Sequence, residues 1–332
     1  MLRLQQLESW LTGLYPDSPF SLAPASADAS FRRYFRVSFA DGRSLIAMDA
    51  PPQHEDCRPF VRIAGLFDCV NVPKVIQQDL EQGFLLLTDL GSTTYLAAMH
   101  PEKPEAAQAL YRDAISALVA IQKASMADTL PPYDAALLRR ELQLYPEWYV
   151  ARHLGKSLDD KQQATWDRVT ALILANNLAQ PKVYVHRDFH SRNLMVTEPN
   201  PGVLDFQDAV YGPITYDLVS LLRDAYIEWP EEFVLDLVIR YWEQARAAQL
   251  PVPTDFAEFY RDFEWMGVQR QLKVIGIFAR LCHRDGKSGY LNDIPLVMRY
   301  LRKACARYAE LRALLRLVDE LEGVSHHTGY TF

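Results

Sequence analysis

Residues 183–207 constrain this 332-residue chain more than any other segment. They read Val183-Tyr184-Val185-His186-Arg187-Asp188-Phe189-His190-Ser191-Arg192-Asn193-Leu194-Met195-Val196, then, after a turn, Gly202-Val203-Leu204-Asp205-Phe206-Gln207. The apolar run 183–185 predicts a short buried strand, the polar stretch after it a loop, and 194–196 a second strand. Glu198-Pro199-Asn200-Pro201-Gly202 is rich in turn residues and returns the chain into Val203-Leu204, so Asp205 ends a strand facing the loop that holds Asp188. One hairpin is expected to carry three proton- and metal-handling side chains: Asp188, Asn193 and Asp205.

Phosphoryl transfer needs such a set, one carboxylate beside the attacking hydroxyl and separate oxygen ligands that hold magnesium on nucleotide phosphates. Asp188 with Asn193 five positions later resembles the H-R-D-x-x-x-x-N loop of protein-kinase-like enzymes, and Asp205-Phe206-Gln207 stands where those enzymes have D-F-G. Two other readings fit part of the segment. His186, Asp188 and His190 suit a satisfied polar turn, and His186-x-Asp188-x-His190 suits a transition-metal site, because residues two apart on an extended segment share a face. Both leave Asn193 and Asp205 unexplained.

Downstream, Asp217 follows Asp205 by only twelve residues, within Tyr211-Gly212-Pro213-Ile214-Thr215-Tyr216-Asp217-Leu218-Val219-Ser220. There is no room for a peptide-docking activation segment. Here the chain resembles the aminoglycoside phosphotransferase and choline kinase group. Asp28-Ala29-Ser30-Phe31-Arg32-Arg33-Tyr34-Phe35-Arg36-Val37, Leu85-Leu86-Leu87-Thr88-Asp89-Leu90-Gly91, Gln271-Leu272-Lys273-Val274-Ile275-Gly276-Ile277-Phe278-Ala279-Arg280-Leu281 and Arg284-Asp285-Gly286-Lys287 are similar to the bacterial N-acetylmuramate/N-acetylglucosamine anomeric kinases of cell-wall recycling. The resemblance implies an α+β, two-lobed protein-kinase-like fold: a small antiparallel β-sheet lobe over 1–90 that binds nucleotide, and a mainly helical lobe over 91–332 with the catalytic loop and acceptor site. It also implies ATP and Mg²⁺ as cofactors and phosphorylation of the sugar C1 hydroxyl. The alternatives are a kinase of another hydroxylated acceptor (aminoglycoside, choline or homoserine) or an ATP-binding pseudokinase scaffold.

A chain this long with 49% hydrophobic residues can bury a substantial core. Its net charge of −7, without a basic run, argues against nucleic acid as a partner. No apolar run approaches the roughly 20 residues that span a bilayer, and the start of the chain reads as an amphipathic helix rather than a signal peptide. Cys57, Cys69, Cys282 and Cys305 are widely spaced and read as free thiols. A cytoplasmic monomer that takes a small sugar substrate is expected.

Strands are expected over 34–39 and 44–49, joined by an Asp41-Gly42 turn, then at 75–76 and 84–87, with a helix over 58–67 between them. Helices are expected over 105–124, 137–153, 159–178, 217–227, 231–249, 255–282 and 295–322.

Two departures from the wider kinase pattern matter. No three-glycine loop is present; Ala27 to Arg33 occupies its place, either cradling phosphate through Asp28, Ser30 and backbone amides or forming an ordinary turn into an edge strand, with Arg32, Arg33 or Arg43 as the cations that can reach the phosphates. The strand that should carry a V-A-I-K lysine reads Leu45-Ile46-Ala47-Met48-Asp49, with Met48 in the lysine's place and Glu55 or Asp56 left without a partner role. Thr88, Asp89 and Leu90 form the expected adenine hinge. Asp188 is assigned to orient the acceptor hydroxyl and take its proton, and Asn193 and Asp205 to ligate Mg²⁺. His186 and Asp217 are read as scaffolding. Acceptor candidates are Arg192, the Glu147-Trp148 pair, and Arg223, Arg280 and Arg284 for the lactyl carboxylate. His326-His327 reads as frayed terminus.

Overall fold

The computed structural model describes residues 2–26 and 31–324. The chain combines a small antiparallel sheet near its start with a mostly helical remainder, a mixed α+β architecture. It divides into two compact units: the first runs up to Met99 and includes Arg192–Asp208, and the second holds His100–Ser191 and the chain from Ala209 onward.

In the first unit, β1 (Phe20–Ser26), β2 (Arg33–Phe39), β3 (Ser44–Asp49), β4 (Val75–Asp79) and β5 (Phe84–Thr88) form an antiparallel sheet ordered β1-β2-β3-β5-β4. Gly42 closes the β2–β3 turn at φ 86°, a backbone conformation that suits glycine, while Asp41 accepts from the Arg43 amide at 3.0 Å. Period-two alternation divides the side chains between the two faces. Val37, Phe39, Ala47, Phe84 and Leu86 point to one face and are buried with Leu7 and Leu11 of the helix Leu2–Leu14. The opposite face carries Tyr34, Arg36, Ile46 and Leu87, with Arg36 paired across to Ile46 and Ile46 to Leu87. Each fully buried aliphatic or Phe side chain contributes about 1.5–3 kcal/mol, which makes this helix and sheet one core. The helix Arg58–Leu66 supplies Phe60, whose ring lies 4.8 Å from that of Phe206, next to Asp205.

β1, which contains Pro24, was not among the expected strands. It is an edge strand whose register shifts between Pro24 and Ser26, the setting in which a sheet tolerates proline.

β6 (Lys182–Val185) and β9 (Val210–Pro213) pair in the second unit, whereas β7 (Leu194–Met195) and β8 (Gly202–Val203) pair in the first. The single hairpin expected over this stretch is thus two separate antiparallel ladders, because the loop after β6 carries the chain out of the second unit before β7 begins. The second unit is otherwise helical: Pro104–Lys123, Ala135–Leu144, Asp160–Ala179, Tyr216–Leu222, Glu231–Ala247, Phe256–Asp285, Ile294–Arg307 and Arg312–Glu322.

Three helices differ from expectation for local reasons. The stretch 137–153 is an α-helix to Leu144 and a π-helix over Tyr145–His153, a change that begins next to Pro146, which has no amide hydrogen to continue the ladder. The expected helix 217–227 ends at Leu222, after which Asp224 turns back to accept from the amides of Ser191 and Tyr226. The expected helix 295–322 breaks at Tyr308, which is extended (φ −109°, ψ 124°) while its hydroxyl donates to Glu264 at 2.7 Å.

Candidate functional site

The loop that carries Asp188 is pinned within the second unit. Buried Asp217 accepts from the backbone amides of His186 at 2.6 Å and Arg187 at 2.9 Å, and His186 Nδ1 accepts from the Asp188 amide at 3.2 Å. Asp224 holds the far end through the Ser191 amide at 2.9 Å. Both residues read as scaffolding in the sequence, His186 and Asp217, therefore make backbone contacts behind the loop. Arg187 adopts φ 78°, left-handed for a bulky residue, which costs about 1–3 kcal/mol unless the surroundings fix it. Burial pushes the half-buried Asp188 carboxyl up, but Lys273, His190, Arg187 and His186 outweigh it and hold the group below the ordinary aspartate value. Asp217 goes the other way: burial raises it to about 7, against the pull of its two amide donors.

The first unit contains a cavity of about 380 Å³. Its sheet wall is the Tyr34, Arg36, Ile46 and Leu87 face, a second wall is the segment Thr88-Asp89-Leu90-Gly91, and Arg192, Asn193 and Asp205 also line it. Asn193 Nδ2 lies 3.3 Å from Asp205 Oδ2, and Gln207 Nε2 donates to Asp205 Oδ1 at 2.7 Å. Asp205 sits at φ 62°, which aspartate tolerates better than most residues. As placed, the Asn193 amide nitrogen faces the Asp205 carboxylate; a carboxylate and a neighbouring side-chain amide, whose oxygen is the group a cation takes, are residue types that suit Mg²⁺ when phosphate and water supply the remaining ligands. The residues present fit that ion.

Sequence reasoning did not single out Arg36. It clamps the wall by a fork to Asp89, at 2.6 and 3.1 Å, and by a donation to the Gly91 carbonyl at 2.8 Å. The available signal was the alternation of β2, which puts Arg36 on the face of Tyr34 and opposite Val37.

The remaining candidates fall in different places. Arg32 is mostly buried, with Nε 3.6 Å from Glu55. Burial opposes its charge, but Tyr34, Glu55, Asp205 and Asp208 outweigh that and raise its pKa. Arg33 is committed to buried Asp49, which Arg3 also holds at 2.8 Å. Met48 shares the cavity face of the sheet but is fully buried and does not line the cavity. Asp28, Ser30 and His326-His327 lie outside the described residues. In the second unit, Glu147 is exposed and Trp148 half-buried on the π-helix. Arg223 is buried between the rings of Phe263 and Tyr300, 5.9 and 5.4 Å from their centroids. Arg284 pairs with Asp285 at the surface, whereas Arg280 keeps a buried Nε that makes no hydrogen bond among the described residues.

A carboxylate in a pinned loop, followed five residues later by an amide that faces a second carboxylate in a cavity, is the side-chain set that phosphoryl transfer requires. The phosphotransferase enzyme family matches residues 21–250, and the chain belongs to that family. It is 57% identical over 334 aligned positions to a protein of Neisseria meningitidis serogroup B named N-acetylmuramate/N-acetylglucosamine kinase, with both chains covered in full. It is 53% identical to a protein of the same name from Pseudomonas aeruginosa, covering 96% of this chain and 97% of that one. Among solved structures, a choline/ethanolamine kinase family protein from Mesorhizobium loti aligns with a TM-score of 0.64 at 13% identity, over 96% of this chain and 99% of the other. An ADP-bound aminoglycoside phosphotransferase aligns at 0.54 and 15%, over 89% and 97%. These two share the fold. Among the described residues no helix is long and apolar enough to cross a membrane.

Proposed function

We propose that this chain is an ATP-dependent sugar kinase that phosphorylates the anomeric hydroxyl of N-acetylmuramate or N-acetylglucosamine. The observation that carries the reading is the Asn193–Asp205 amide–carboxylate pair on the wall of a cavity of about 380 Å³, in a chain 57% identical end to end to a protein with that name. The cavity wall Thr88 to Gly91 receives the adenine, with Asp89 locked by Arg36 so that the backbone there stays fixed. Asn193 and Asp205 would hold Mg²⁺, and the chemistry the ion would supply there is neutralisation of charge on the phosphate oxygens. Asp188 accepts a hydrogen bond from the sugar hydroxyl, aims it at the γ-phosphate and takes the proton as the new bond to phosphorus forms and the bond from phosphorus to the β,γ-bridging oxygen breaks, ADP leaving with that oxygen. Its lowered pKa suits that role, since the group stands ionised at neutral pH. Arg192, on the same cavity, meets the transferred phosphate or the sugar. A sugar kinase of this kind works where ATP is, in the cytoplasm; residues 1–90 supply most of the nucleotide site, and 91–332 supply the acceptor site together with Arg192, Asn193 and Asp205.

Arg32 is the cation that stands in for the missing strand lysine. Support comes from its pairing with Glu55 and its electrostatic coupling to Asp205, an arrangement that the buried Met48 has no means to provide. Arg32→Gln is expected to raise KM for ATP about ten-fold or more, read from initial rates at saturating sugar, because one charge-assisted phosphate contact is lost. An unchanged KM would remove Arg32 from the nucleotide site. For the acceptor, Arg280 is the strongest candidate to meet a lactyl carboxylate, since its buried Nε has a donor to offer; Glu147, Trp148, Arg223 and Arg284 are the other candidates.

The test is ADP release with Mg²⁺ and ATP against a panel of acceptors: the two amino sugars, an aminoglycoside, choline and homoserine. Turnover with the amino sugars and none with the cationic acceptors is expected. Turnover only with a cationic acceptor, or with none of the panel, would overturn the proposal.

A further inference from the structure

A buried ionic network in the second unit has no part in the transfer as proposed. Glu141, from the helix Ala135–Leu144, and Lys273, from the helix Phe256–Asp285, are only 5% and 7% exposed. Glu141 Oε1 is 3.1 Å from Lys273 Nζ and 2.7 Å from Arg187 Nη2. Tyr133 donates its hydroxyl to Glu141 Oε2, and Lys273 Nζ donates to the Tyr216 hydroxyl at 2.8 Å. The Tyr133 and Tyr216 rings lie 5.1 Å apart, and the Arg187 guanidinium sits 5.7 Å from the Tyr133 ring centroid.

Taking two cations and one carboxylate out of water is expensive, and a hydrophobic cluster of the same volume would be at least as stable. Stability alone therefore gives no reason for the network. Its contents point elsewhere. The one residue it takes from the catalytic loop is Arg187, which is left-handed at φ 78° and immediately precedes Asp188. Asp217 fixes the Arg187 amide, and Glu141 holds its guanidinium. With Arg187 clamped at both ends, its strained turn is determined, and the direction of the next side chain with it.

We propose that Glu141 and Lys273 are positioning residues for the catalytic loop: the carboxylate, itself held by the buried ammonium and Tyr133, clamps the Arg187 guanidinium and so aims the Asp188 carboxylate. The inference rests on the reading of Asp188 as the proton acceptor. It also accounts for the excess positive charge, because Glu141 balances one of the two cations and Asp188 is the nearby anion for the other. The groups acting on Asp188 from the surrounding elements are Lys273, His190, Arg187, His186 and Asp217, and Lys273 is the strongest of those that favour its ionised form. On Lys273 itself act Glu141, Tyr216, Arg187 and Asp188.

Glu141→Gln keeps the shape and removes the charge. It is expected to lower kcat about ten-fold or more while KM for ATP stays within about two-fold, since misaiming the base affects the transition state and not nucleotide binding. Amide hydrogen exchange at residues 186–188 should speed up in the same variant. Lys273→Met should in addition move the acid limb of the kcat–pH profile upward by about half a pH unit or more, as Asp188 loses its main cation. If either variant fails to fold, Tyr133→Phe, which deletes only the hydroxyl on Glu141, carries the test with an expected several-fold loss in kcat at unchanged KM. A folded Glu141→Gln or Tyr133→Phe protein with the original kcat and exchange rates would overturn the proposal. A parent enzyme without any kinase turnover would instead sink the function itself, so the two failures are distinguishable.

Discussion

Asp188→Asn is expected to lower kcat by about 10²–10⁴-fold, the range that loss of a positioned general base produces. KM for ATP should move little, because the nucleotide contacts proposed here come from the first unit. Asparagine preserves size and one acceptor oxygen, and the loop backbone is held by Asp217, His186 and Asp224, so the variant should fold and melt near the parent temperature. The pH profile gives a second reading of the same group. Burial raises Asp188, but Lys273 and its neighbours lower it further, so the carboxylate keeps its charge to a lower pH than an ordinary aspartate with its pKa near 3.9. The sign follows: activity requiring the ionised form is present above the folded pKa and is lost only below it. Turnover of the parent should thus hold its plateau through about pH 5 as far as Asp188 is concerned. Full turnover in Asp188→Asn, measured by coupled ADP release with amino sugar, would remove it from the role of base.

The catalytic loop was legible in the sequence because the chemistry fixes residue types at short spacings: Asp188, Asn193, Asp205 and Asp217 all fall within thirty residues. Sheet strands β2, β3 and β5 were legible for a similar local reason, apolar runs or alternation bounded by turn residues. What escaped was set by partners distant in the chain. β1 carries Pro24, which a strand tolerates at a sheet edge, and no local pattern announces that an edge lies there. The break at Tyr308 has no proline or glycine to mark it; Arg307 is drawn to Glu231 and Glu264, and Tyr308 to Glu264. Glu55 could not be assigned from sequence, since its partner Arg32 lies beyond two strands and a turn. The Glu141–Arg187–Lys273 network joins three elements, and each residue alone reads as an ordinary charge on an amphipathic helix or in a polar loop.

Asp205→Asn is the second large effect. Asparagine accepts left-handed φ at least as well as aspartate, so the 62° backbone at this position should survive, along with the ring of Phe206 packed on Phe60. The loss is then electrostatic. Next to Asn193 the substitution leaves two neutral amides where a carboxylate and an amide stood, and a hard divalent cation binds such a pair far more weakly. A fall in kcat of about 10²–10³-fold is expected, comparable to removing one preorganised charge-stabilising group from a transfer site. The Mg²⁺ concentration for half-maximal rate should rise in parallel. A binding readout separates this from a defect in chemistry: in the parent, Mg²⁺ should tighten ADP binding measured by calorimetry, and in Asp205→Asn that enhancement should disappear while metal-free ADP affinity persists. The adenine wall at Thr88 to Gly91 is untouched by the substitution, which is why the metal-free affinity should remain. An Asp205→Asn protein that keeps both its Mg²⁺ response and its kcat would show that the metal is held elsewhere, and Asn193 would lose its assignment with it.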